Sequence, residues 1–469
     1  YGADGDPLID FSEWGVNFTK DAVRDITLQD GVYRVLLFEN DAFGVYTLTP
    51  CTAAEAAPTL RIAGYEVGDG IHAAASAFNR TRFDYTARVI DYRQYDDDPN
   101  ALYPDKAGVT KLNTELLAGG DFDVLYLNEY LSSAVLAKQG TLLDLYPLLD
   151  AGGAVTRDTF VPRILEKTET DGHLYSLSIA FALNTMLSDR RVIGEYPTLS
   201  VADWHALQAA HPNADVTDMA EETFMYYLSD IAVHDFIKDG TAQFDTDTFI
   251  AYLETMATLE SADEKLAQLG QGLPVADYAT VADGTFLLMP LFLRNLSFYQ
   301  RALCNLADGA QFTGYPTENG VGHVMEFADT LGIFAATDKK DAAWDFLQLT
   351  VTENRLGLSE GAFEQPGFPT DRASFEAQLD YYRDAANFVN NIGTPQTTFE
   401  GAPLRALTEE DIDRLYEMID AAKPLVQADR AIIDILEDEV PYFLKGEATA
   451  ADTAARIQER VQLYLNEQQ

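Results

Sequence analysis

The residues in this sequence with the most chemical potential are aromatic rings set beside carboxylates and amides. The chain holds 24 Tyr, 26 Phe and 3 Trp. Several stand next to polar groups where an apolar run ends: Tyr65 with Glu66, Tyr95, and Tyr130 with Asn128 and Glu129. Phe181, Phe292 and Tyr315 are further candidate rings, and Asn184 and Glu326 further candidate polar groups. Sugar rings offer flat C–H faces that pack on such aromatics, and their hydroxyls pair with amides and carboxylates. An apolar lining with a few convergent polar groups is what a small-molecule pocket requires. Core packing competes for each ring taken singly. For Asn128 and Glu129 the competing role is capping a following helix.

Covalent chemistry finds little support. The sequence has no GxSxG elbow, no GxxxxGK[ST] loop, no HExxH helix and no GxGxxG fingerprint. Acidic residues are too numerous to single out a glycosidase pair, which needs carboxyls about 5–9 Å apart. No enzyme activity, catalytic residue or cofactor is expected. Cys51 and Cys304 are the only cysteines, with no CxxC pair, and His72, His173, His205, His211, His234 and His323 are scattered. A metal site is not expected. The acidic run at Asp96–Asp98 lacks the spacing and closing Glu of a calcium loop and reads as solvated. His323, beside Gly320 and Gly322, is the most interesting histidine, and hydrogen bonding in a loop or core is its expected role. With 76 acidic against 32 basic residues, a net charge of −44, the surface repels phosphate backbones, so nucleic acid is not a partner.

These residues need a scaffold to bring them together, and the pattern of apolar positions supplies one. The 469 residues are enough for two or three cores. Residues 1–57 read as a β segment and linker: VYRVLLF and FGVYTLT are strand-like around a turn, the piece from Trp14 to Val23 is amphipathic, and CTAAEAAP links onward. From Thr59 the chain alternates. TLRIAGY, YTARVIDYRQY and FDVLYLN read as strands, and helical faces at Ile71, Ala74, Ala75 and Phe78, then at Val109, Leu112 and Leu116, lie between them. That alternation predicts an α/β layer with a mainly parallel sheet, in which ligands gather beyond the carboxyl ends of the strands. Tyr65, Glu66, Tyr95, Asn128 and Glu129 all fall at such ends. The region from about 180 to 310 is more helical, and helices dominate again from Arg372 onward, with Pro441 expected to bend or end one of them. No apolar run approaches the length of a membrane span.

From Thr59 onward the chain resembles the extracellular solute-binding proteins of ABC importers, in the group related to maltose-binding protein. FDVLYLNEYLSSAVLAKQGTLLDLYPLLD is similar to that group's strand, short helix and Leu-Asp-Leu-x-Pro passage. DGHLYSLSIAFALNTMLSDRRVIGE looks like its crossing between lobes, ADTLGIFAATDKKDAAWDFLQLT like its return strand and helix, and GFPTDRASFE like a later Pro-bearing segment. ILEDEVPYFLKGEATAADTAARIQERVQLYLNE resembles its C-terminal helices. Residues 1–50 resemble, less specifically, the end of a propeller-like β domain.

The resemblance implies a two-lobed periplasmic-binding-protein-like α/β fold of type II with crossing hinge strands, plus the short N-terminal β segment. Lobe 1 is expected over 58–180 and 315–350, lobe 2 over 181–314 and 351–469. It further implies a monomer that captures a mono- or oligosaccharide between its lobes, closes by hinge motion and presents the solute to ABC permease subunits. The implied location is the extracellular face of the cell membrane, with a lipid anchor upstream of Tyr1; Cys51, preceded by Pro50 and strand-like sequence, is not expected to be lipidated. The sequence departs from the group in its apolar crossing SLSIAFALNTML and in LLMPLFLRNL. That departure leaves open a weakly polar ligand or a lobe that has lost its solute; the acidic surplus keeps a peptide, a polyamine or another small solute open, and the β segment a surface adhesion or sensory role.

Overall fold

A computed structural model describes residues 23–39, 42–48, 57–82, 84–98, 105–230, 232–238, 240–270, 275–317, 322–353, 367–390, 393–425 and 430–467. The stretch before Val23, most of the linker and Cys51 lie outside these residues. The chain forms two compact units. Unit 1 takes Tyr1–Ile179, Asp329–Gly357 and Pro369–Arg372, and unit 2 takes Ala180–Ala328, Leu358–Phe368 and Ala373–Gln469.

At the start of unit 1, β1 (Val23–Gln29), β2 (Val32–Glu39) and β3 (Ala42–Leu48) form a separate antiparallel sheet. One strand more is present than the two expected, because DITLQ pairs with β2 in register Ile26↔Val35. The main layer follows the predicted alternation. β4 (Thr59–Gly64), α1 (Asp69–Thr81), β5 (Thr86–Asp91), α2 (Ala107–Leu117) and β6 (Val124–Leu127) succeed one another, with α3 (Ser133–Lys138) after them. β4 lies parallel between β5 and β6. All four β6 residues are buried, as a central strand covered on both faces demands. Helix α1 turns Ile71, Ala75 and Phe78 inward onto this sheet, where Phe78 meets Phe346 edge-on at 5.6 Å.

Two long strands pass from one unit to the other. β7 (Leu177–Asp189) leaves unit 1 after Ile179. In chain order β8 (Ile237–Lys238) and β9 (Thr241–Ala242) then form a small hairpin, followed by β10 (Met289–Leu293), β11 (Ala310–Phe312), β12 (Val324–Ile333), β13 (Phe368–Pro369) and β14 (Lys423–Pro424). β12 returns to unit 1 at Asp329 and pairs antiparallel with β6 there, Thr330 opposite Leu127. Residues 315–328, expected in lobe 1, belong instead to unit 2. Their partners fix this: the N-terminal end of β12 runs beside β14 through Val324↔Lys423, and Thr317 bridges to Ser200. Residues 369–372, expected in lobe 2, fall in unit 1, where Val161 N–H donates to the Thr370 carbonyl at 2.9 Å.

Unit 2 packs its helices around Trp204, Phe224, Phe236, Phe249 and Tyr252, with Ile432, Leu436, Ile457 and Val461 of the C-terminal helices in the same core. Pro441 does not end its helix at once. The helix Arg430–Leu444 runs on for less than a turn, and Lys445 N–H closes on the Pro441 carbonyl at 3.1 Å. No helix among the described residues is long and apolar enough to cross a membrane.

One buried ion pair sits at the start of β6, inside the unit 1 sheet. The Asp123 carboxylate accepts from Lys339 Nζ at 3.0 Å and from Arg61 N–H at 2.8 Å, and the Thr337 hydroxyl also donates to it. Asp123→Ala leaves the Lys339 ammonium and the Arg61 amide without that acceptor. The expected loss is about 3–5 kcal/mol, read from the shift of the urea unfolding midpoint.

Candidate functional site

The sequence-derived candidates separate into two groups, one in each unit. In unit 1, Tyr65 and Glu66 leave the carboxyl end of β4. Tyr65 is 0% exposed, so it is a core residue. Its hydroxyl donates to Asp96 Oδ2 at 2.5 Å, and the other oxygen of Asp96 accepts from Gly108 N–H at 2.7 Å. Asp96, read as part of a solvated loop, is buried by these two bonds. Burial and the Asp96 hydrogen bond push the Tyr65 phenol above its ordinary range. Glu66 adopts a left-handed conformation (φ 54°) stabilised by Asp91, whose carboxylate accepts the Glu66 and Val67 amides at 3.0 Å each. The Glu66 side chain pairs with Arg93 at 3.0 Å.

Asn128 is a local fastener. Its amide nitrogen donates to the Tyr65 carbonyl at 2.8 Å, and its oxygen accepts Tyr130 N–H at 3.1 Å. The helix N-cap after it is Ser132, not Asn128. Tyr130 stands edge-on to Tyr65 at 4.8 Å with the Lys106 ammonium 4.9 Å from its ring centre. Tyr95 is exposed beneath Lys111, 4.7 Å from its ring centre, and Glu129 is exposed.

Unit 1 also holds a carboxylate that sequence reasoning missed. Asp329 lies in β12 with φ 50°, where the chain re-enters the unit, and Tyr126 donates its hydroxyl to Oδ1 at 3.2 Å. The carboxylate lies over the first turn of α1. A Cβ on Gly68, the N-cap, would come 2.3 Å from Asp329 Oδ1. Burial raises the Asp329 carboxyl above its ordinary pKa, against the pull of the Tyr126 hydrogen bond. The glycines flanking Asp69 were the available signal: small residues at a helix start permit close approach of another group.

In unit 2 four candidates meet. β10 runs antiparallel to β7 with Phe292 opposite Asn184, so both side chains project from one sheet face. Asn184 is the single residue of β7 that is not buried. Its amide donates to Oε1 of Glu326 on β12. Glu326 is half-buried, and burial raises its carboxyl, opposed by the Asn184 hydrogen bond and the positive charge of Arg294. The Arg294 guanidinium sits 4.5 Å from the centre of the Phe292 ring. Tyr315 stacks on Tyr227 at 4.7 Å and 24°, and its phenol is pushed up to about 12 by burial and by the charge of Glu326. Tyr227 and Tyr252 each donate to the Pro316 carbonyl at 2.7 Å, which fixes the backbone beside Tyr315. Gly314 (φ 70°) bridges to Gly322, an approach that a side chain would block.

Phe181 does not join this group. It is 0% exposed and packs on Phe368 and Phe375 at 5.3 and 6.2 Å. His323 is buried with Nδ1 3.0 Å from the Thr185 hydroxyl, and burial pushes it down to about 4, so it is neutral at physiological pH. Cys304 is half-buried, and burial pushes its thiol up. Among the described residues, no cluster of three or more His, Cys, Asp or Glu is arranged to hold a metal ion. The unit 2 group is suited to hydrogen bonding and stacking: a carboxylate and an amide carbonyl accept from hydroxyls, Arg294 donates, and Phe292 and Tyr315 supply apolar surface.

The sequence matches no protein-family model and no curated protein. Solved structures do match. The sugar-binding protein MalE from Xanthomonas citri is 15% identical, with 87% of this chain and 98% of that one covered at a TM-score of 0.56. An ABC substrate-binding protein from Listeria monocytogenes, solved with cycloalternan, is 14% identical over 87% and 99%, at 0.53. An extracellular solute-binding protein of family 1 from Alicyclobacillus acidocaldarius is 16% identical over 87% and 98%, at 0.50. The fold is thus the two-lobed α/β fold of periplasmic binding proteins, as expected from the sequence.

The Glu326 environment makes a pH-dependent prediction. With its folded pKa raised above the ordinary 4.5, ionisation of Glu326 costs stability as pH climbs through and past that value. Glu326→Gln removes the cost and keeps an acceptor for Asn184. Melting temperatures of the variant and the natural chain should diverge in the variant's favour as pH rises above about 4.5. A pH-independent difference would contradict the assignment.

Proposed function

We propose that this chain is the solute-binding component of an ABC importer and that it captures a carbohydrate. The observation that carries the reading is the unit 2 group, in which Glu326 and Asn184 are hydrogen-bonded to each other, Phe292 lies opposite Asn184 by register and the charge of Glu326 acts on Tyr315. A half-buried carboxylate whose oxygens are only partly used is a strong acceptor for hydroxyls, and rings beside it match the C–H faces of a sugar. MalE, described as sugar-binding, and the cycloalternan complex support the same ligand class. Glu66, Tyr95, Glu129 and Tyr130 of unit 1 are proposed to add contacts. Tyr65, Asn128 and Phe181 act by positioning their neighbours. Membrane permease subunits are the proposed partners, and the extracellular face of the membrane the proposed location, with the chain acting as a monomer held by an anchor upstream.

A cationic solute such as a polyamine is the second reading, favoured by the half-buried carboxylates of Glu326 and Asp329 and by the net charge of −44. Arg294 weighs against it, since a guanidinium already occupies the Phe292 ring and faces Glu326.

Calorimetric titration with a panel of mono- and oligosaccharides, and with spermidine, separates the two. Sugar should bind, and Glu326→Gln should weaken it about tenfold or more, the scale of one hydrogen bond to a charged group. Binding of spermidine with no response to any sugar would reject the carbohydrate assignment.

A further inference from the structure

Unit 1 contains a cavity of about 310 Å³ that none of the sequence candidates line. Three arginines, Arg157, Arg163 and Arg372, and three acids, Asp158, Glu166 and Glu169, are among its lining residues, all six exposed. Tyr146 and Phe160 contribute apolar surface. We infer that this cavity is a second carbohydrate-binding site, which takes a neutral saccharide of one or two rings independently of the Asn184 and Glu326 group.

The balance of charge selects the ligand class. The chain has 32 basic residues against 76 acidic ones, yet three arginines gather at this one cavity, matched by an equal number of acids. With Asp150 paired to Arg157 beside them, the lining groups present charges of both signs at close range, so neither a simple anion nor a simple cation meets only attractive neighbours. A hydroxyl both donates and accepts, and it can use each kind of group: carboxylates only accept and guanidiniums only donate. A polyhydroxylated neutral molecule is what alternating groups of these two kinds fit best. The volume lies at the lower end of the range for small-molecule sites, about 300–1,000 Å³.

Two of the arginines, Arg157 and Arg163, are held by neighbours. Arg157 lies 3.6 Å from the centre of the Tyr146 ring and makes two hydrogen bonds to Asp150, at 2.7 and 2.8 Å, through Nε and Nη2. Its Nη1 edge is not used in that pair. The Tyr146 hydroxyl donates to Glu169, which holds the carboxylate at the cavity wall. Arg163 takes the left-handed conformation (φ 65°), and its Nε reaches Glu166 at 3.3 Å. The segment carrying Arg372 is fastened to this loop by the Phe160↔Asp371 bridge and by Val161 N–H on the Thr370 carbonyl at 2.9 Å. Arg372 itself is exposed and has no hydrogen-bond or ion-pair partner among the described residues.

The test is calorimetric titration of the full chain with glucose and maltose, with glycine betaine and citrate as zwitterionic and anionic probes. Two classes of sugar site are expected. Arg372→Met should weaken one class at least tenfold and leave the other unchanged, whereas Glu326→Gln should do the reverse. An unchanged melting temperature for Arg372→Met verifies that the exposed substitution leaves the fold intact, and Arg372→Lys, which keeps a charge but loses the planar fork, should give an intermediate loss. Sugar binding sensitive to Arg372→Met but not to Glu326→Gln would sustain this site while rejecting the one proposed in unit 2. No sugar binding sensitive to Arg372→Met, or betaine or citrate binding there in preference to sugar, would overturn the inference.

Discussion

β7 leaves a single side chain of its thirteen residues unburied, and most of unit 2's sheet is built against it. Such a strand must satisfy its backbone groups by pairing, because almost none of its length is open to water. β10 and β11 supply that pairing along its C-terminal part, and β13 supplies it near the unit boundary. Asn184 is the exception, and a half-buried amide also needs partners. Glu326 on the other crossing strand provides one. The same requirement that makes the strand apolar therefore concentrates its polar chemistry at one position, with Phe292 across from it by register.

Unit 1 meets a comparable requirement with carboxylates. Asp91 holds the turn after β4, Asp96 joins Tyr65 to the start of α2, and Asp123 anchors Lys339. Asp329 lies against the first turn of α1. An acidic chain thus uses part of its surplus charge to fix backbone amides and hydroxyls at the ends of strands. These bonds shape the edge where Glu66, Tyr130 and Glu129 are displayed, and they explain why Asn128 serves structure before it can serve a ligand.

The alternation of β4, α1, β5, α2 and β6 was legible in the sequence because burial on one helix face and on both faces of a parallel strand leaves a periodic apolar record. The likeness of the crossing segment to known solute-binding proteins led to the same fold. Side-chain roles were less legible. Tyr65 stands beside Glu66 and Phe181 three residues before Asn184, as ligand-binding rings would, yet both are core, because local sequence does not distinguish a ring packed inward from one facing a cleft. Asp329 escaped notice because its partner Tyr126 is 203 residues away. The Arg372 cavity escaped notice for a related reason, since it forms only when the segment at 369–372 bridges back to Phe160 and Val161. Unit membership of residues 315–328 likewise depends on pairing with β14, a contact invisible in local pattern.

The most direct test of the account is a crystal structure of the chain grown with a maltooligosaccharide. A sugar ring packed on Tyr315 or Phe292, with hydroxyls donating to Glu326 and to the Asn184 carbonyl oxygen, is the predicted result. Ordered sugar bound elsewhere, with the Glu326 and Asn184 pair untouched, would contradict it.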